Sequence, residues 1–173
     1  MNHFPGSIAM LKDIIIDPDF ESTCPTLTED EFAQLEQNIL SDGEVTSPLI
    51  VWDNRLIDGH HRRQIILKHP ELPFRIKKVD FDNKYEAIAW ICKNQTGRRN
   101  LTPEQFSNLI GKRYEAEKQS KGASDGFRGN QYSNLVKGQN VLLPTLNPSA
   151  TKIAEENGIN EKRCEGLVSM QKV

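Results

Sequence analysis

Apolar positions along the chain follow two periods, and the places where one gives way to the other mark the elements. Phe32, Leu35 and Ile39 recur at helical spacing behind Thr28-Glu29-Asp30-Glu31, and Asp42-Gly43 closes that helix. The Thr28 segment is a capping box, in which a hydroxyl accepts from the Glu31 amide while the Glu31 carboxylate reaches back. Pro48 to Trp52 and Arg55 to Asp58 are short apolar runs around Asp53-Asn54. Both turn residues tolerate left-handed backbone, so the segment predicts a β-hairpin. Phe74 and Ile76, then Val79 and Phe81, stand two apart on either side of Lys77-Lys78 and predict a further strand with one break in phase. A helix over about 84–94 follows, capped by Asn83 with Glu86 at the capping-box position. A second box, Thr102-Pro103-Glu104-Gln105, places Pro103 at the first helical position, where its missing N–H costs nothing. Phe106, Leu109, Ile110 and Tyr114 form the apolar face of the helix it opens.

From Gln119 to Pro148 the pattern fades, as Gly122, Gly126, Gly129 and Gly138 interleave with Ser, Asn and Gln. Such a stretch has little apolar surface to offset its ordering entropy, and residues 122–147 are expected to be mobile. Helical spacing returns in the tail. Ser149 is placed to cap a helix carrying Ile153 and Ala154, Gly158-Ile159-Asn160 makes a tight turn, and Glu161 to Lys172 makes a second helix with Cys164 and Leu167 inward. That order is the grammar of a helix-turn-helix, whose second helix would enter a DNA major groove. An ordinary helical hairpin fits the same spacing. The expected division is a domain over 1–118, a linker over 119–148 and a helix-turn-helix over 149–173.

Hydrophobic residues make up 36% and charged residues 27% of the 173, a balance that fits a globular chain rather than a disordered one. No apolar run approaches the length of a membrane span, and Lys12-Asp13 interrupts the only short apolar run near the N-terminus. A cytoplasmic protein is therefore expected, with no membrane partner. Cys24, Cys92 and Cys164 form no C-x-x-C pair, which argues against a disulfide scaffold or zinc ribbon. The net charge of −2 hides an asymmetry. Residues 1–91 carry 9 Lys/Arg against 16 Asp/Glu, whereas residues 92–121 carry 7 against 3. A polyanion would meet the middle of the chain first.

Two short segments hold most of the candidate chemistry. In Leu56-Ile57-Asp58-Gly59-His60-His61-Arg62-Arg63 a strand ends at a glycine and a helix begins with two imidazoles and two guanidiniums. This aims backbone amides and positive side chains at an anion. A polar corner with Asp58 capping the helix and solvated arginines fits the residue types equally. Adjacent histidines on a helix diverge by about 100 degrees, which disfavours a metal held by both, and Asp58 could fix the tautomer of one of them. In Asn94-Gln95-Thr96-Gly97-Arg98-Arg99-Asn100-Leu101 a glycine bend and two arginines run into the second capping box.

With Pro48-Leu49-Ile50-Val51 ahead of them, these two segments resemble the ParB N-terminal domain of the ParB/sulfiredoxin superfamily, especially the ParB-like proteins of phages and mobile elements. The likeness spans roughly residues 8–118. It implies an α+β fold, a small mixed sheet packed by helices, followed by a helical segment with a helix-turn-helix. It also implies a DNA-binding protein acting in transcriptional control, partition or replication, with a nucleotide site. Phosphate contacts then fall to Asp58, Gly59, His60, His61, Arg62, Arg98 and Arg99, and the ligand would be CTP or ATP with Mg. His60 stands where the family has Glu in its Gly-Glu-Arg-Arg box, and where sulfiredoxin has its catalytic Cys, so sulfinic acid reduction has no nucleophile here. In the second box Asn94 or Gln95 stands for the family's Asn, Asn94 being the metal candidate, and Lys93 or Asn94 replaces its Glu. Nucleotide binding survives this comparison better than hydrolysis does.

Double-stranded DNA is the implied partner and a homodimer the implied assembly. Thr151, Asn160, Glu161, Lys162 and Arg163 are the candidate DNA contacts, with Arg98, Arg99, Lys112 and Arg113 assisting at phosphates. The competing reading is a nucleotide-dependent enzyme of the same superfamily, either a small-molecule kinase or a nuclease. Glu29, Glu31, Glu36 and Asp58 would then be candidates for the proton acceptor.

Overall fold

In the computed structural model, which describes residues 3–98, 101–124 and 148–160, the hairpin lies at one end of a four-stranded mixed sheet. Strands β2 (Leu49–Trp52) and β3 (Arg55–Asp58) pair antiparallel across Asp53 and Asn54, whose φ values of 45° and 60° match the twist of the strands they join. Beyond β2 lies β4 (Arg75–Lys78), parallel to it, and beyond that β1 (His3–Pro5), antiparallel to β4. The outer edge of β3 is bridged by Ile15, whose N–H donates to Asn54 O and whose carbonyl accepts from Leu56 N–H.

The side chains of β2 alternate between two apolar layers. Leu49 and Val51 join Leu56, Ile65, Ile66 and Ile76 in one cluster, with Leu11 of α1 (Ile8–Asp13) and Ile39 of α3 (Glu29–Asp42). Ile50 joins Ile57, Phe20 of α2 (Pro18–Glu21), and Ala87 and Ile91 of α5 (Lys84–Thr96) in the other. Burial on both faces explains why β2 reads as a continuous apolar run rather than an alternating one. Helix α4 (His60–Lys68) carries the chain from β3 towards β4.

The capping signals hold at atomic detail. Glu31 N–H donates to Thr28 Oγ1 at 3.2 Å and Thr28 N–H to Glu31 Oε2 at 2.9 Å. Gln105 N–H donates to Thr102 Oγ1 at 3.1 Å and Thr102 N–H to Gln105 Oε1 at 3.0 Å, opening α6 (Pro103–Ser124). Gly43 ends α3 at φ 70°. Several expectations shift. The further strand is confined to Arg75–Lys78, with Val79 and Phe81 packed into the second apolar cluster. Helix α6 runs past the expected linker boundary at Gln119 to Ser124, and residues 125–147 lie outside the described residues. Helix α7 (Pro148–Asn157) begins at Pro148, so Ser149 is a buried position inside it rather than its cap. The second tail helix, 161–172, lies outside the described residues.

Helix α7 packs on α6, with Ala150 and Ile153 against Ile110 and Tyr114. Arg113, 2% exposed, is matched there by Glu117 of its own helix at 2.9 Å and by Glu156 of α7 at 2.7 Å. The sequence offered Arg113 as a phosphate contact; it is instead an internal cation holding the two helices together, out of reach of DNA. Gly158, at φ 63°, ends α7 in a Schellman turn, with Ile159 N–H returning to Ala154 O at 3.0 Å and its side chain packed against the α6–α7 cluster.

Removing Glu156 would leave a buried guanidinium with one partner. Glu156→Ala is expected to cost about 2 kcal/mol in urea unfolding, and Glu156→Gln less, since the amide oxygen still accepts. The bond to Arg113 holds the Glu156 carboxyl below its ordinary range. Its contribution is therefore complete at neutral pH and is lost as the pH falls through that lowered value.

Candidate functional site: an anion cavity at the start of α4

The register between β2 and β3 slips by one residue, from Val51 opposite Leu56 to Ile50 opposite Asp58, so β3 carries one extra residue immediately before its end. Gly59 follows at φ 103°, a left-handed conformation that turns the chain straight into α4. A Cβ there would lie 2.6 Å from Leu49 Cδ2, so the backbone of the corner sits tightly against β2. Because Gly59 has no side chain to cap the helix, the amides of the first turn, His60, His61 and Arg62, are left facing outward at the positive end of the helix dipole.

A cavity of about 270 Å³ opens at this corner. Thr46, Ser47, Gly59, His61, Arg62 and Arg98 supply its polar surface, and Leu27, Leu35, Ile39 and Val45 its apolar wall. Asp58 organises the cations. Its carboxylate accepts from Arg62 Nη2 at 2.6 Å, from Gln95 Nε2 at 3.1 Å and from Arg98 Nη2 at 3.4 Å. The two segments that the sequence singled out are thus joined through one carboxylate. Asp58 fixes guanidiniums and not an imidazole tautomer.

The two histidines have different surroundings. His61 is half-buried with its ring edge-on to Phe32, and burial, with Arg98 second, pushes its pKa down. His60 is 6% exposed, and neither ring nitrogen has a hydrogen-bond partner among the described residues. Burial pushes its pKa down against the pull of Glu21 and Asp58. Cys24 also lines the cavity, its thiol pushed up to about 12 by burial and by Asp58. Arg63 turns away, its guanidinium donating to Leu11 O at 3.5 Å.

Of the residues read from the sequence, Asp58, Gly59, His60, His61, Arg62 and Arg98 line this one cavity. Arg99 lies outside the described residues. Asn94 does not line it; its amide donates to Trp90 O along α5, and Gln95 is the neighbour that reaches Asp58. The described residues contain no group of three His, Cys, Asp or Glu side chains able to hold a metal ion, and Asp58 is the one carboxylate among them that lines the cavity. Thr151 sits on α7 and Asn160 just after the Gly158 turn, while Glu161, Lys162 and Arg163 lie outside the described residues. Lys112 donates to Ser22 O at 3.0 Å, tying α6 to the segment after α2. Sequence reasoning missed Thr46, Ser47 and Cys24. Their only signal was position: the first two immediately precede the Pro48 strand.

No protein-family model and no curated protein sequence matches the chain. Solved structures do. A chain described as a pNOB8-like ParB N-domain in a C2221 crystal form superposes with a TM-score of 0.66 at 18% identity, over 96% of this chain and 68% of that one. A second pNOB8-like ParB N-domain gives 0.66 at 17% identity, over 98% of this chain and 64% of that one. The C-terminally truncated chromosome-partitioning protein ParB from Caulobacter crescentus, complexed with CTP-gamma-S, gives 0.45 at 12% identity, over 97% of this chain and 77% of that one.

Two outcomes follow from the geometry of the corner. Gly59→Ala meets both a strained φ and the Leu49 side chain, and is expected to lower stability by about 1–3 kcal/mol in denaturant unfolding. Burial pushes the Cys92 thiol to about 12 as well as that of Cys24. Alkylation at neutral pH with peptide mapping is expected to spare both in the folded protein and to modify them in urea.

Proposed function

We propose that this chain, which has the fold of a ParB N-terminal domain, is a ParB-like DNA-associated protein whose α4 cavity holds the phosphates of a nucleoside triphosphate. The observation that supports the nucleotide reading is the convergence on one cavity of a helix N-terminus, Arg62 and Arg98. Open amides supply directional donors, and the two guanidiniums supply charge and paired donors, the combination that phosphate oxygens take up. CTP and ATP are both candidate ligands, and the apolar wall of Leu27, Leu35, Ile39 and Val45 is a surface on which part of a nucleoside could lie.

Binding is favoured over hydrolysis or phosphoryl transfer. Asp58 is the one carboxylate among the described residues lining the cavity, and its oxygens are engaged by Arg62, Gln95 and Arg98, which leaves it poorly placed to take a proton from an attacking hydroxyl or water. The DNA-binding part of the proposal rests on the tail, where the Schellman turn at Gly158 gives the chain a defined exit from α7. We place recognition at Asn160 to Arg163, as a homodimer on a two-part site, since symmetry adds a second set of contacts to a tail in which residues 149–173 carry 4 Lys/Arg against 4 Asp/Glu. A cytoplasmic role in transcriptional control, partition or replication of a mobile element fits this reading. No helix among the described residues is long and apolar enough to cross a membrane.

The test is calorimetric titration of each nucleoside triphosphate, with and without duplex DNA. Arg62→Ala and Arg98→Ala are each expected to weaken nucleotide binding about tenfold or more; wild-type affinity in both variants would refute the site. Point changes in the full chain are the right probe of the tail, because α7 covers Ile110 and Tyr114 and its deletion would expose them. Lys162→Ala with Arg163→Ala is expected to abolish preference for specific over random duplex in a salt series while leaving nucleotide affinity unchanged.

A further inference from the structure

His60 is the buried polar side chain that the phosphate reading does not yet use. It opens α4, lines the cavity, is 6% exposed, and has neither ring nitrogen bonded among the described residues. Burying an imidazole without partners is unfavourable, so the ring is placed at a cost that a ligand can recover. Burial disfavours the charged ring, and the charges around it divide. In its own helix, His61, Arg62 and Arg63 oppose a further positive charge, as does Arg98 beyond α5. From other elements Glu21 of α2 and Asp58 of β3 favour one, while the Cys24 thiol, pushed up to about 12, is neutral. Asp58 already serves Arg62, Gln95 and Arg98, so little of its charge is left for a fourth donor. With the cavity empty, burial favours the neutral form of His60 over the pull of Glu21 and Asp58. A multiply charged oxyanion seated on the first-turn amides would bring acceptor oxygens and negative charge close to this buried ring.

We infer that His60 is a proton-linked ligand of this cavity: a tetrahedral oxyanion, such as the terminal phosphate of a nucleotide, binds together with uptake of one proton by the His60 imidazole. The inference rests on the phosphate reading and adds a direction to it. The proton lost from solvent on binding joins the second ring nitrogen, and the imidazolium donates to the oxyanion after a turn of the ring that opens a nitrogen to the cavity, since neither is accessible in the empty site. Affinity therefore falls as pH rises between the pKa of the empty site and that of the filled one, by up to about tenfold per pH unit. It levels off below the lower value, where the ring is already charged before binding.

Sulfate is the probe, because phosphate itself titrates near neutrality whereas sulfate does not, so any proton taken up belongs to the protein. Sulfate titrated into the full chain by calorimetry, in buffers of different ionisation enthalpy from about pH 5.5 to about pH 8, is expected to bind more tightly at the acid end with uptake of up to one proton. His60→Gln is expected to abolish the uptake and flatten the pH profile. His61→Gln is expected to lower affinity while keeping the uptake. In the unmodified protein, nitrogen-resolved NMR of the histidine rings is expected to show His60 titrating at higher pH with sulfate than without, a readout that does not depend on any variant folding. Sulfate binding without proton uptake, uptake that persists in His60→Gln, or a His60 ring indifferent to sulfate overturns the inference and leaves the phosphate site standing. If sulfate and nucleotides both fail to bind, the phosphate reading falls and this inference with it.

Discussion

Two guanidiniums and the positive end of a helix would repel one another at the mouth of a small cavity if the Asp58 carboxylate did not stand between them. It lies two residues ahead of the first helical residue, and it reaches Arg62 one turn up α4, Gln95 near the end of α5 and Arg98 just beyond it. Three constraints meet in its position. The slipped register brings β3 to its end at Asp58, the left-handed Gly59 turns the chain into α4, and Gln95, 1% exposed, fixes the approach of α5. An ion pair this enclosed contributes less to stability than to geometry, because desolvation consumes much of the Coulombic gain. Its value here is to hold two cations close together at the lining of the cavity.

The same economy operates at the other end of the molecule. Arg113 is buried more completely than either site arginine and satisfies two glutamates, one in its helix and one in α7. Lys93 of α5 adds a more exposed contact to Glu156 at 3.4 Å, so that three helices share one carboxylate. In both places an arginine serves as a joint between elements distant in sequence. Both joints border a cavity, of about 270 Å³ at Asp58 and about 410 Å³ at Arg113, and what sets the first apart is the start of α4 that opens on it.

How far the sequence alone reached follows from the range over which each signal acts. The caps at Thr28, Asn83 and Thr102 and the Asp53-Asn54 turn are local chemistry, written within four residues, and were legible. The short elements β1, α1 and α2 were not, because three to six residues hold too little periodicity, although Leu11 and Phe20 are fully buried. The two basic corners could be found from residue type. Their meeting could not, since the link is a single carboxylate bonded to residues 37 and 40 positions away. Arg113 was misjudged for the same reason: a cation beside Lys112 on an apparently amphipathic helix reads as surface until the helix that covers it is in view. Thr46, Ser47 and Cys24 carried no pattern at all, and only the folded chain places them around the cavity.

The bridge from Ile15 to the outer edge of β3 has a further consequence. A mixed sheet of this kind has two rims, each able in principle to stitch onto the rim of a neighbouring molecule. At β3, the strand that leads into the cavity, the bridge takes up Leu56 N–H and Asn54 O, and the Asn54 side chain clasps Asp13 O at 2.9 Å. The opposite rim, β1, is three residues long and ends in Pro5, which has no N–H to offer. Ribbon-to-ribbon accretion, the usual hazard of an open sheet, is therefore blunted on both sides, and the strand that bears Asp58 is shielded from being drawn out of register by another chain.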